Sequence, residues 1–230
     1  MKEMITLLQT GIYTIPEAAR LTGVSPWRIR RWLRGYEFKA KHGRHHSAPI
    51  WHGQLDPIDH AMAIGFLDLV EIRCVDAFLQ KGVSWKTLRR AHDRAQQALK
   101  LSHPFCTNRF KVAGRAIILE IPQVDDEPTL WEIARDQRMF GRIIRPFMKD
   151  LEFAEGEMPS QWWPMGKSRS VVLDPRRSFG QPIVSRSGVP TTILSRAVRA
   201  AGSVREVAAW YEVGRPEVND AVEFEQKLAA

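Results

Sequence analysis

Residues Tyr13 to Tyr36 read YTIPEAARLTGVSPWRIRRWLRGY. The stretch spells two short helices punctuated by one glycine. Thr14 has the side chain of a helix N-cap, Pro16 suits an early helical position, and Glu17 stands where a carboxylate closes a capping box. Ile15, Ala18, Ala19 and Val24 form a small apolar face. Gly23 supplies the positive φ that a tight turn requires. Ser25 caps the second helix and Pro26 opens it. Ile29, Trp32 and Leu33 share one face at helical spacing. Trp27, Arg31 and Arg34 lie opposite, flanked by Arg28 and Arg30. The outer side is almost wholly cationic. That is the surface a helix needs in a major groove, where arginine takes guanine bidentately or neutralises phosphate.

Lys39, Lys41, Arg44, His45 and His46 follow, with His42 to Ser47 read as a loop between two extended pieces. A hairpin wing of this kind can lie along a sugar-phosphate backbone. The candidate contacts to double-stranded DNA are therefore Tyr13, Thr14, Ser25, Trp27, Arg28, Arg30, Arg31, Arg34, Lys39, Lys41, Arg44 and His45. Charge supports the placement. The 230 residues carry a net +8, and residues 12–51 hold eight Lys and Arg against two Asp and Glu. A basic excess gathered on one motif points to a polyanionic partner.

Downstream, Phe66 to Gln80 reads as a helix stopped by Gly82, and Ser84 caps another that runs to about Lys100. Residues 108–121 read as a hairpin, with strands Arg109–Val112 and Ala116–Ile121 and Gly114-Arg115 at the turn. Leu130 to about Phe147 reads as a helix interrupted late by Pro146. Glu155 to Ser168 has the composition of a linker, but Trp162 and Trp163 are expected to dock on a surface of this chain or a partner. Val171–Leu173 and Ile183–Val184 are short strands. Three helices near 190–201, 204–211 and 216–228 close the chain, with Val204, Val207, Ala208 and Tyr211 turned inward. Ser203 and Glu206 make a second capping box, so the last two helices also have a helix-turn-helix shape. The final helix carries Glu217, Asp220, Glu223 and Glu225, which would repel phosphate, so protein contact or dimerisation is the expected role. No internal repeat stands out. The expected division is 1–100, a winged helix-turn-helix; 101–165, a hairpin, helix and linker that spaces or dimerises; and 166–230, a small helical module with short strands. The fold class is mainly α, of α+β type.

Several chemistries are not expected. No run of 18 apolar residues exists to span a membrane, and the N-terminus lacks a secretory pattern, so a cytoplasmic protein is expected. Cys74 and Cys106 make neither a metal pattern nor a disulfide framework and read as reduced, buried thiols. His42, His45, His46 and His52 cluster without a cysteine or acidic co-ligand in cationic surroundings, which opposes a metal ion. Asp125, Asp126 and Glu127 read as a solvated loop. Ser178 and Ser187 lack a nucleophile motif, and no glycine-rich phosphate cradle is present. The expectation is recognition without catalysis, metal or cofactor.

A resemblance extends this reading. Ala19, Gly23, Val24 and Ser25, followed by Ile29-Arg30-Arg31-Trp32, resemble the MerR-type winged helix-turn-helix. Arg31 stands where most of that family has the first of two aromatics. Residues from Phe66 onward, FLDLVEIRCVDAFLQKGVSWKTLRRA, are similar to the paired helices that follow its wing. Residues 171–228 resemble the module called domain of unknown function 433. The match runs through Asp174-Pro175, Gly180-Gln181-Pro182, Gly188-Val189-Pro190, Ala201 to Glu206, Tyr211 and Val218 to Phe224. Phe179 replaces a usual glycine. Together the two parts resemble the VapB-like antitoxins of toxin–antitoxin pairs. That resemblance implies a homodimeric repressor of its own operon and a PIN-like ribonuclease toxin as partner, with a carboxylate-rich, magnesium-binding site. Arg169, Arg176, Arg177 and Arg186 are candidates to enter that site, with Trp162 and Trp163 as further toxin contacts. The alternatives are a stand-alone MerR-like regulator and a winged-helix recombination accessory factor.

Overall fold

Local capping builds the first helices. The Thr14 hydroxyl accepts from the Glu17 N–H (3.3 Å) and Glu17 accepts from the Thr14 N–H (2.8 Å), so both halves of the box form. Helix α1 spans Ile15–Thr22 and ends at Gly23, whose φ is 74°. The Ser25 hydroxyl accepts from the Arg28 N–H and caps α2, Pro26–Arg34. Ile15, Ala18, Val24, Ile29, Trp32 and Leu33 are buried. An antiparallel hairpin follows, β1 Tyr36–Ala40 and β2 Gly43–Ser47. Gly43–Ser47 is thus a strand and not a loop. Pairing with β1, residue for residue from Tyr36–Ser47 to Ala40–Gly43, outweighs its polar composition.

The computed structural model describes residues 9–40, 43–119, 134–135, 137–154 and 156–229. It is mixed α/β, with small antiparallel sheets. Two compact units are present. One holds residues 14–148 and 155–159, and the other holds 1–13, 149–154 and 160–230.

In the first unit, α3 (Phe66–Leu79), α4 (Trp85–Leu99), α5 (Asn108–Leu119) and α6 (Gln137–Lys149) follow the hairpin. Helix α3 is buried nearly all round, through Phe66, Leu69, Val70, Ile72, Cys74, Val75 and Phe78, the mark of a core helix. Asp68 and Glu71 go down with it at 0% exposure. Buried carboxylates require donors, and both have them. Asp68 accepts from Trp51 Nε1 (2.9 Å), the Gln54 N–H (2.9 Å) and the Gly65 N–H (2.9 Å), and lies 2.7 Å from His103 Nε2. Glu71 accepts from the N–H groups of Phe105 (3.0 Å) and Cys106 (2.9 Å) and lies 3.0 Å from His92 Nε2. Two irregular segments, around residues 51–54 and 103–106, are thereby tied to one helix. Cys74 and Cys106 are both buried, and burial pushes both thiols well up.

The expected hairpin at 108–121 is a helix as far as the described residues reach. Thr107 caps it, its hydroxyl accepting from the Phe110 N–H (3.0 Å). Gly114 does not turn the chain. A Cβ there would stand 2.8 Å from the Phe110 ring, so glycine is needed for packing inside α5. Residues 120–133, including Asp125, Asp126 and Glu127, lie outside the described residues. Helix α6 runs through Pro146 without stopping. Burial of Ile143, Ile144, Phe147 and Met148 on its inner face offsets the hydrogen bond that proline cannot donate.

The second unit centres on a four-stranded antiparallel sheet in the order β3 (Leu151–Glu152), β4 (Gln161–Trp162), β5 (Val171–Leu173), β6 (Pro182–Val184). The expected linker therefore contains a strand, and Trp162 is buried there at 3% exposure. Helices α7 (Thr191–Ala201), α8 (Val204–Trp210) and α9 (Arg215–Ala229) follow. They pack through Val184, Leu194, Val207, Val213, Val218 and Ala221. Tyr211 is not inward but 37% exposed, because the chain leaves α8 at that residue.

The carboxylates of α9 are also not free. Asp220 accepts from Arg169 Nε (2.6 Å) and from the Ser170 N–H (2.8 Å), and Glu223 accepts from Arg169 and Lys227. Glu217 accepts from the Gly214 N–H (2.7 Å), and Glu225 accepts from the Thr191 hydroxyl. Burial pushes Asp220 up, but hydrogen bonds from Ser170 and Arg169 outweigh it and hold the carboxyl below its usual range. Asp174 is likewise raised by burial and lowered on balance by hydrogen bonds from Arg176 and Gln161. Groups with depressed folded values stabilise the native state above the ordinary Asp value of about 3.9 and lose that contribution as pH falls through the lowered value. Acid titration followed by tryptophan fluorescence should therefore show wild type losing stability below about pH 4. Asp220→Asn should be less stable at pH 7 and less sensitive to acid. Equal stability of the two at pH 7 would refute this.

Candidate nucleic-acid interface

Helix α2 sets its apolar side inward and leaves Arg30 and Arg34 exposed, one turn apart on a single face. On the hairpin, Lys39 and Arg44 are exposed and stand directly opposite each other in register. Like charges facing each other across two strands are unfavourable, and a polyanion relieves that repulsion. None of these four cations is in an ion pair among the described residues.

The other arginines of α2 are committed elsewhere. Arg28 pairs with the largely buried Asp76 at 2.9 Å, and its guanidinium lies 5.0 Å from the Trp32 ring centre. It ties α2 to α3, a task at odds with the expected base contact. Arg31 lies over Trp27 (4.2 Å) and over Tyr36 (3.3 Å). Tyr36 meets Phe38 at 5.8 Å, and Phe38 stacks on His45 at 5.6 Å with 26° between planes. A ladder of flat groups thus joins the helix to the hairpin. Cation–π contacts are worth about 0.5–1 kcal/mol each at exposed sites, so the Arg31–Tyr36 contact biases the hairpin's orientation relative to the helix. Arg89 fixes the hairpin's exit through the Ser47 hydroxyl (3.2 Å) and the Ala48 carbonyl. Gly35 makes the junction, with φ 72° and ψ −174°.

The remaining expected contacts divide. Thr14 and Ser25 are exposed, but both hydroxyls cap helices. Trp27 is 61% exposed. His45 is exposed on β2. Lys41 and His42 lie outside the described residues. Tyr13 is 2% exposed, and its phenol donates to the Gly180 carbonyl (2.7 Å). It is a packing residue of the second unit and has no surface to offer a phosphate.

The residues expected to meet a toxin also divide. Arg169 holds Asp220 and Glu223. Arg176 grips Asp174 through Nε and a terminal nitrogen (both 3.1 Å), and Arg177 donates to the Ser185 carbonyl (2.6 Å). Three of the four arginines are thus satisfied by their own unit. Arg186 is exposed and in no ion pair among the described residues. Trp163 is half-buried and Trp162 lies within the sheet. The buried cluster of Asp68, Glu71, His92 and His103 was not anticipated. Its signal was present as two acids three residues apart inside an otherwise apolar helical run. With 0–1% exposure these side chains meet no substrate; they hold the fold.

No helix among the described residues is long and apolar enough to cross a membrane. No family model matches the chain. It is 25% identical over 236 residues, 96% of this chain and 97% of the relative, to a Mycobacterium tuberculosis protein named "Putative antitoxin VapB45". The crystal structure of Rv2018 from Mycobacterium tuberculosis aligns with 91% of this chain and 96% of its own, with a TM-score of 0.66 at 22% identity. The chain therefore shares the fold of Rv2018 and is similar, along nearly its whole length, to a protein that carries the name of an antitoxin.

Proposed function

We propose that this protein is a DNA-binding antitoxin that represses its own operon and neutralises a PIN-like ribonuclease. The observation that carries the reading is the end-to-end similarity to a protein named as an antitoxin. The unpaired cations on α2 and its hairpin supply the DNA-binding half. In this reading α1 and α2 are the helix-turn-helix, and β1–β2 is its wing. Arg30 and Arg34 enter the major groove. Lys39, Arg44 and His45 track phosphates, and the aromatic ladder keeps wing and helix in register. A homodimer meets an inverted repeat with half-sites about 34 Å apart, or a multiple of that. On the nuclease side, an arginine that enters the carboxylate cluster takes the place of metal or substrate phosphate. Arg186 is the best placed of the four candidates, since the others would first have to leave their own partners.

Binding to the chain's own upstream DNA, measured against salt, tests the DNA-binding half. Arg34→Ala is expected to cost on the order of 1–3 kcal/mol and to relax sequence preference. Lys39→Ala and Arg44→Ala should weaken all sequences alike, each reducing the salt slope by about 0.9. A double Arg30→Ala, Arg34→Ala variant that binds as wild type does would sink the assignment of α2.

A further inference from the structure

The two units carry the same two-helix motif, offset by 189 residues. The Thr14 cap corresponds to Ser203, whose hydroxyl accepts from the Glu206 N–H (3.2 Å) as Thr14 accepts from Glu17. Buried Ala18 corresponds to buried Val207. Gly23, at φ 74°, corresponds to Glu212, at φ 53°. Buried Val24, Ile29 and Trp32 correspond to buried Val213, Val218 and Ala221. Helix α1 is thus matched by α8, and α2 by α9. The repeat escapes the sequence because, over residues 14–35, only Glu17, Ala19 and Val24 meet their own kind, at Glu206, Ala208 and Val213. What repeats is a cap, a left-handed turn residue and the burial spacing.

The correspondence says which positions of α9 face outward. Of the outer positions of α2, Arg34 maps to Glu223, which accepts from Arg169 and Lys227, and Pro26 and Arg30 map to Arg215 and Asn219, both of which are exposed. Arg215 is in no ion pair among the described residues. Arginine and asparagine are the side chains that pair bidentately with guanine and adenine. The acidic charge of α9 is offset in part within the unit, so the repulsion of a phosphate partner is smaller than the sequence of α9 alone implies. Arg169 and Lys227 together offset the charges of Asp220 and Glu223, whereas Glu217, accepting from the Gly214 N–H, and Glu225, accepting from the Thr191 hydroxyl, keep theirs. Exposed Arg196 and Arg199 on α7 and Arg205 on α8 add positive charge to the same unit.

We propose that α8 and α9 form a second DNA-reading motif, with Arg215 and Asn219 as its base-contacting residues, so that one chain engages two DNA segments. The toxin then docks elsewhere on this unit. Each chain protects two segments of its upstream DNA, one through α2 and one through α9.

Hydroxyl-radical footprinting of the full chain on its upstream DNA tests this. The variants are Arg30→Ala with Arg34→Ala, and Arg215→Ala with Asn219→Ala. Both altered residues of the second pair are exposed, and its far-UV spectrum and melting temperature serve as the check on folding. Two protected segments are expected for wild type, with each double variant losing a different one. The second pair should also weaken binding roughly tenfold or more, as for a lost bidentate contact. Asn219→Glu should reproduce that loss through repulsion. A footprint unchanged by Arg215→Ala with Asn219→Ala overturns the proposal. So does an unchanged footprint accompanied by lost co-elution with the adjacent gene product, which would make this face a protein contact.

Discussion

Asp68→Ala is expected to leave the unit of residues 14–148 without a stable fold. The carboxylate has four partners within 2.7–2.9 Å, namely Trp51, Gln54, Gly65 and His103, and it is completely buried. Alanine would strand the buried Trp51, Gly65 and His103 groups, while the Gln54 N–H is only part-buried. Removing one partner of a buried charged network costs about 3–5 kcal/mol, and each stranded donor adds about 1–3 kcal/mol. A domain has only about 5–15 kcal/mol to lose. The segment around residues 51–54 also loses two of its hydrogen bonds to α3, those from Trp51 and Gln54, and keeps the one that the Gln54 side-chain carbonyl accepts from the Leu67 N–H (2.8 Å). Asp68→Asn keeps the shape but exchanges one acceptor oxygen for an NH2 group, and it should fall between the two. Thermal melts followed by circular dichroism read the difference. An Asp68→Ala protein that melts within a few degrees of wild type would show that this cluster does not hold the unit together.

Gly35→Ala should damage DNA binding far more than it damages the fold. Its backbone, at φ 72° and ψ −174°, lies in a region open essentially to glycine alone, at a cost of about 1–3 kcal/mol to other residues. A Cβ would also stand 2.2 Å from the Ser47 carbonyl oxygen. That oxygen is backbone, so the hairpin itself must move. Lys39 and Arg44 move with it, and under the proposed reading their phosphate contacts are lost. Losing both contacts, at about 1.4 kcal/mol per tenfold, should weaken operator binding on the order of tenfold to a hundredfold. Gly23→Ala is the control. Gly23 also has positive φ, but a Cβ there meets nothing within 4 Å. It should cost stability alone, roughly 1 kcal/mol, and leave the affinity of the folded protein unchanged. Equal affinity for Gly35→Ala and wild type would mean that the hairpin takes no part in binding.

Where structure follows from neighbours in sequence, the chain was legible. Thr14 with Glu17, Gly23, and Ser25 with Pro26 mark the ends of α1 and α2, because caps and turns act over three or four residues. The burial of Ile29, Trp32 and Leu33 follows from helical spacing. Errors arose where a distant partner decides. Gly114 reads as a turn until Phe110 is seen packed against it. Polar Gly43–Ser47 becomes a strand through pairing with β1. Tyr13, Arg28, Arg169 and Arg176 look like free surface groups, since nothing local announces Gly180, Asp76, Asp220 or the fork on Asp174. The ion pairs of Asp220 and Glu223 on α9 are hidden for the same reason, since Arg169 lies 51 and 54 residues away in sequence. The second two-helix motif was legible from its own cap, Ser203 with Glu206, but its residue-by-residue correspondence with the first was not, because three identities carry no signal.

The most direct test of the central claim is co-elution. The untagged chain is expressed with its adjacent gene product tagged, and the eluate is examined by size exclusion and assayed for ribonuclease activity. The account predicts one stable complex that has lost ribonuclease activity and still shifts the upstream DNA. A chain that elutes alone while the partner's activity is undiminished would contradict it.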